Sequence, residues 1–221
     1  MTAPFTVIIP SRYGSTRLPG KALELIAGKP LVQHAWESAR DSRATRVVIA
    51  TDNKLIADSS ASFHAECLMT SSSHQSGTDR VAEVVEQLGL TDDAVIVNLQ
   101  GDSVRLSPKL IDQVAAILLR NPAREMATLC EAFKSEHDAL DPSRVKVKFD
   151  QTGRALSFRR AFVPEPGQIP RWGYRHIGLY AFRAGFLRRF TLAPQSLSEQ
   201  RERLEQLRAL PVLTPSGQQI T

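Results

Sequence analysis

Over residues 5 to 119 short apolar runs alternate with amphipathic segments, and this alternation constrains the fold more than any other feature of the chain. Residues 5–9 (FTVII), 46–51 (RVVIAT), 66–69 and 94–100 (AVIVNLQ) read as buried strands. Helical patterns fall between them. Residues 30–39 place Leu31, His34, Ala35 and Ser38 on one face, with Pro30 in the first turn. A short helix starts at Asn53, and residues 78–88 carry Val81, Val84, Val85 and Leu88 at helical spacing. Residues 107–119 have Ser107 as N-cap and Pro108 at the first position. Strands alternating with helices specify an α/β fold, a mostly parallel sheet covered on both faces. Its ligands bind beyond the carboxyl ends of the strands.

The second half follows a different pattern. Residues 126–133, 144–149, 155–159 and 177–183 read as strands with few helices between them, and Asp150-Gln151-Thr152-Gly153 marks a hairpin. The expectation is one domain over 1–221, with an antiparallel extension or lobe over 126–185. Residues 164–170 (PEPGQIP) form a loop, and 197–210 read as one charged helix. There is no internal repeat.

Composition narrows the partners. With 42% apolar and 23% charged residues the chain is not disordered. Its formal charge of +5 favours an anionic ligand. The arginines are dispersed and no basic motif is interleaved with aromatics, so small anions come before nucleic acid. The two cysteines, Cys67 and Cys130, lie in apolar stretches and are expected to be buried thiols rather than a disulfide. No signal-peptide core opens the chain and no run approaches about 18 apolar residues, which predicts a cytoplasmic protein with no membrane span.

Three constellations carry chemistry. The first strand stops at Pro10 and opens into Ser11-Arg12-Tyr13-Gly14-Ser15-Thr16-Arg17-Leu18-Pro19-Gly20-Lys21. Glycines there let backbone N–H groups approach a phosphate, and Arg12, Arg17 and Lys21 balance its charge. The spacing is neither a Walker loop nor a dinucleotide fingerprint, and residue types alone also allow a basic surface turn. At the end of the fourth strand, Asn98-Leu99-Gln100-Gly101-Asp102 offers a carboxylate suited to Mg2+ on nucleotide phosphates or, equally, to shaping a turn. Residues 69–80 (MTSSSHQSGTDR) bring hydroxyls, an amide and N–H groups to a helix start, fit for a base edge, an anion or an ordinary cap. Arg159, Arg160, Arg175 and His176 flank the 164–170 loop and could take a carboxylate.

In order along the chain, VIIPSRYGSTRLPGKAL, KPLVQHAWE, VVIATD, CLMTSSSHQSGTDRVAEVV, VIVNLQGD, MATL, RVKVKFDQTGRALSFRRAFVP, RHIGLYAFRAGFLRRF and LEQLRAL resemble the 3-deoxy-manno-octulosonate (Kdo) cytidylyltransferases. The resemblance implies a nucleotide-diphospho-sugar transferase-like fold, usually a homodimer, in lipopolysaccharide biosynthesis. It implies Mg2+-dependent transfer of CMP from CTP to the anomeric hydroxyl of Kdo, with pyrophosphate released. It implies that Arg12, Arg17 and Lys21 hold the triphosphate. Thr70, Ser76 and Arg80 would then meet the cytidine, Gln100 the sugar, and Asp102 the metal. Arg160, His176, Tyr180, Glu202, Glu205 and Gln206 would face the sugar acid.

The chain departs from the pattern in three places. Ser103-Val104 stands where the family usually has Glu-Pro, and the loop before Arg175-His176 (PEPGQIPRWGY) is short. These two changes favour the alternative of another 2-keto acid or a phosphonate as acceptor. No Asp or Glu follows Glu205, where the family carries a Gly-Val-Asp-Thr-Pro-Glu-Asp segment with a second metal-binding Asp. That predicts weakened turnover, or a nucleotide-binding paralogue without turnover.

Overall fold

The computed structural model describes residues 4–14, 18–163 and 172–212. Strand β1 (Phe5–Pro10) is buried at every position. It pairs in parallel with β4 (Arg46–Thr51) on one side and β6 (Val95–Asn98) on the other, and β5 (Glu66–Met69) extends the parallel set beyond β4. A small hairpin of β2 (Leu25–Ile26) and β3 (Lys29–Pro30) leads into α1 (Leu31–Arg40). Helices α2 (Lys54–Ser62), α3 (Gly77–Gln87) and α4 (Pro108–Arg120) make the crossovers. The alternation thus produced the expected layered sheet. Ile8, Val48 and Ile96 face one apolar cluster with Val81 and Val84 of α3. Ile9, Ile49 and Val97 face the other with Val32 of α1 and Ile111 of α4. Buried side chains of this size each contribute about 1.5–3 kcal/mol.

The antiparallel part continues the same sheet. Strands β7 (Met126–Ala132), β8 (Lys146–Phe149), β9 (Ala155–Arg159) and β10 (Tyr174–Arg183) join β1, β4, β5 and β6 in one eight-stranded sheet among the described residues. The link is β10. Tyr180–Arg183 run antiparallel to β6, Tyr174 and Arg175 reach β8, and β7 pairs along β10 across a register shift between Ile177 and Tyr180. Strands β7, β8, β9 and β10 therefore extend the parallel sheet. Between β7 and β8 lies the short helix α5 (Glu136–Leu140), and α6 (Ala184–Leu192) follows β10.

Four expectations need correction. The buried face of α1 is Leu31, Val32, Ala35 and Ala39, rotated from the expected one. His34 instead bonds the Ile26 carbonyl at 2.8 Å, which ties the β2–β3 hairpin to the helix. Pro30 is the N-cap rather than a first-turn residue. Both thiols are free, but Cys130 is exposed and Cys67 only half-buried.

The fourth concerns the expected single helix over 197–210, which is broken. Helix α7 (Leu197–Glu202) stops at Arg203, whose φ of 54° is left-handed, and a 3-10 turn (Glu205–Arg208) and α8 (Ala209–Val212) follow. In a continuous helix Glu199 and Arg208 would stand about 13.5 Å apart along the axis. The break closes them to a buried 2.6 Å ion pair and buries Leu204 and Leu207.

Candidate active site

The parallel strands end along one edge of the sheet, and the loops leaving β1, β4, β5 and β6 carry the chemistry there. A cavity of about 490 Å3 opens at this edge, lined by Arg12, Lys21, Ser76, Arg80, Gln100 and Asp102 among others. Lys21 Nζ and Asp102 Oδ2, 81 residues apart in sequence, meet at 2.6 Å. Gly101 makes that approach possible: a Cβ on it would lie 2.4 Å from Ser11 Oγ and 2.9 Å from the Pro10 carbonyl, so only glycine lets the Asp102 turn pack on the end of β1. Ser76 caps α3. Its hydroxyl accepts the Asp79 N–H at 3.1 Å while Asp79 accepts the Ser76 N–H at 3.0 Å, a reciprocal capping box. Arg80 is 2% exposed and donates to Thr70 Oγ1 and, at 2.8 Å, to Asp52 Oδ2. Thr70 is buried behind the wall and donates to the Thr51 carbonyl at 3.0 Å. Arg17 lies outside the described residues.

A second hollow, about 480 Å3, shares Gln75 and Ser76 with the first and is lined also by Asp79, Glu199, Glu205 and Arg208. Glu205 accepts from Thr78 Oγ1 at 2.5 Å, and its Oε1 is buried. Burial raises its pKa above the usual carboxylate value. Tyr180 is raised by burial and by the nearby Glu205 charge. Gln206 is buried beside this turn. Arg160 and Glu202 are joined: Glu202 Oε2 accepts the Arg160 N–H and the Glu202 carbonyl accepts Arg160 Nε–H, each at 2.9 Å. This fastens the end of β9 to the end of α7. Arg175 pairs with Glu131. Arg160, His176, Tyr180, Glu202 and Gln206 line neither cavity.

His176 is held at the Thr128 hydroxyl. Thr128 Oγ1 lies 2.8 Å from the Leu179 carbonyl, 3.1 Å from the Ile177 carbonyl and 2.9 Å from His176 Nε2. The hydroxyl has a single proton, so the direction of its bond with Nε2 follows the imidazole tautomer. Burial pushes the imidazole pKa down to about 4, so the ring is neutral near pH 7. A neutral imidazole suits a hydroxyl partner rather than a carboxylate.

The family model described as cytidylyltransferase matches residues 6–215. A 3-deoxy-manno-octulosonate cytidylyltransferase of Pseudomonas fluorescens is 50% identical over 220 residues, covering 95% of this chain and 87% of the relative. One of Pseudomonas syringae pv. tomato is also 50% identical, over 222 residues with the same coverage.

This chain belongs to the 3-deoxy-manno-octulosonate cytidylyltransferase family.

A solved CMP:2-keto-3-deoxy-manno-octonic acid synthetase, complexed with CTP, superposes with a TM-score of 0.88 at 37% identity, over 99% of this chain and 88% of that one. A cytidylyltransferase from Leptospira borgpetersenii shares the fold, with a TM-score of 0.60 at 16% identity, over 95% of this chain and 73% of that one.

In this cytidylyltransferase the sequence reasoning passed over Asp52, whose carboxylate holds both Arg80 and the Tyr13 N–H. The signal was available: Asp52 follows β4 at the same edge of the sheet where Asp102 follows β6. Among the described residues no group of three or more His, Cys, Asp or Glu is placed to hold a metal, and no helix is long and apolar enough to cross a membrane.

Proposed function

We propose that this chain transfers CMP from CTP to the anomeric hydroxyl of Kdo or a closely related acidic sugar, releasing pyrophosphate, as a cytoplasmic homodimer. The observation that carries this reading is the convergence of Arg12, Lys21 and Asp102 on one cavity beside the N-terminus of α3. A cavity of about 490 Å3 is of the size that takes a small ligand. Arg12 and Lys21 offset the charge of the triphosphate, and the family resemblance assigns the same role to Arg17. The α3 N-terminus adds backbone N–H groups near Ser76, and Thr70 and Arg80 back the cytidine side.

Asp102 is a hard oxygen donor, open to the cavity and paired with a lysine that a triphosphate would draw away. It fits Mg2+ as a single protein ligand, because Mg2+ keeps waters and takes substrate phosphates for the rest. When bound, the metal would neutralise charge on the departing pyrophosphate. The sugar hydroxyl attacks the α-phosphorus in line, and no protein nucleophile is needed. The chain's own work is to position the reactants and stabilise charge. On the acceptor side Gln100 and Glu205, which line the two cavities, meet the sugar acid, and the family resemblance also assigns Arg160, His176, Tyr180, Glu202 and Gln206 to it, although they line neither cavity.

The test is pyrophosphate release from CTP and Kdo with Mg2+. Asp102→Ala should lose on the order of a hundredfold in rate. An unchanged rate would remove the metal from Asp102, and no release across a panel of sugar acids would end the reading. Ser103-Val104 beside Asp102 favours a second reading, another 2-keto acid or a phosphonate as acceptor. Product formed only with a non-Kdo acceptor would select it.

A further inference from the structure

We propose that Asp52 is the positioning residue of the nucleotide cavity: its carboxylate ties the base of the cation loop to Arg80 and so fixes two walls of the cavity relative to each other. The inference rests on the cytidylyltransferase reading above.

Asp52 bridges two separate elements. Oδ1 accepts the Tyr13 N–H at 3.1 Å, and Oδ2 accepts from Arg80 Nη2 at 2.8 Å. Tyr13 is where the loop leaves and returns. Its carbonyl accepts the Gly20 N–H at 2.8 Å. Its ring lies 3.3 Å from where a Cβ on Gly20 would stand, and Gly20 takes a φ of 74°. Arg12 before this closure and Lys21 after it both line the cavity, so both take their orientation from a base that Asp52 holds.

Arg80 forms another wall. Its side chain is 2% exposed and that of Asp52 13%. Among the described residues Asp52 is the only ion-pair partner of Arg80, and the other guanidinium contact is the neutral hydroxyl of Thr70. A guanidinium this deep is tolerated only when paired. Because Asp52 meets its charge, Arg80 gives the cavity a rigid wall with little net charge. Arg12 and Lys21 are left to answer the phosphates. Asp52 lines neither cavity; it acts through Tyr13 and Arg80.

Asp52→Asn keeps the shape and an oxygen for Tyr13 but removes the charge facing Arg80. Calorimetric titration with CTP and Mg2+ should show Kd raised roughly tenfold or more. At saturating CTP, kcat should fall by no more than about threefold, with KM for the sugar acid unchanged. A melting profile like that of the wild type together with an unaltered CTP Kd would overturn the proposal. So would a fall in kcat that tracks the folded fraction with both KM values unmoved. Where Asp52→Asn melts below the assay temperature, Asp52→Glu decides. It keeps the charge and displaces the anchor, so it should fold and still weaken CTP binding; wild-type CTP affinity there would also overturn the assignment. A wild-type chain that binds CTP but releases no pyrophosphate would refute the proposed function and leave Asp52 to be judged by Kd alone.

Discussion

Lys21–Asp102 and Glu199–Arg208 are ion pairs with the same 2.6 Å separation in opposite surroundings. The side chains of the first are 40% and 53% exposed, at the open edge of the parallel strands. Those of the second are 6% (Glu199) and 9% (Arg208) exposed, doubly hydrogen-bonded, with Arg208 5.0 Å over the ring of Phe190. An exposed pair contributes at most about 1 kcal/mol, so either partner is free to exchange for a ligand. A buried pair has already lost its hydration, and removing one charge strands the other. The cavity edge keeps its charges easy to re-pair, whereas the C-terminal segment uses charge to hold a fixed shape beside the Glu205 hollow.

The sharpest way to break this comparison is Arg208→Met. It should destabilise the fold by about 3–5 kcal/mol, and pairing it with Glu199→Gln should recover part of the loss. Denaturant titration measures both, and a single substitution costing under about 1 kcal/mol would place the two pairs in one class.

The next effect is on acid stability. His176 has a folded-state pKa of about 4 against 6.5 unfolded, so its contribution is complete above pH 6.5 and is lost as pH falls toward 4. The loss approaches about 3 kcal/mol. Glu205, raised by burial, works in the opposite direction over acid pH, so the comparison must be made against His176→Gln. The stability difference between pH 7 and pH 4.5 should be smaller in that variant, and identical pH slopes would refute the assignment.

The smallest effect is at the exposed pair. Asp102→Ala, for all its expected cost in rate, should change unfolding free energy by less than about 1 kcal/mol. A large loss of stability there would mean that Asp102 builds the fold rather than serving the ligand.

The parallel half was legible because its information is local. Period-2 and period-3.6 patterns name strands and helices directly, and β1 with its loop could be read from residues 5–21 alone. The face of α1 was misjudged because His34 satisfies a distant carbonyl while Ala39 supplies the apolar contact, a choice that periodicity in so short a helix does not settle. The broken C-terminal helix was illegible for a related reason: LSEQRERLEQLRAL favours helix residue by residue, and only the burial of Leu204, Leu207 and the Glu199–Arg208 pair rewards the left-handed turn at Arg203. Asp52 was overlooked because its partners, Tyr13 and Arg80, are 39 and 28 residues away.

By itself the sequence determined the layered α/β class, the sheet edge where the cavity opens and the residues that resemble a cytidylyltransferase, since apolar periodicity and local motifs act within a few residues. Tertiary structure alone decided which charges are exchangeable and which are locked, and that the His176 ring is buried and neutral. Burial and hydrogen-bond partners arise between segments that meet only once the chain has folded.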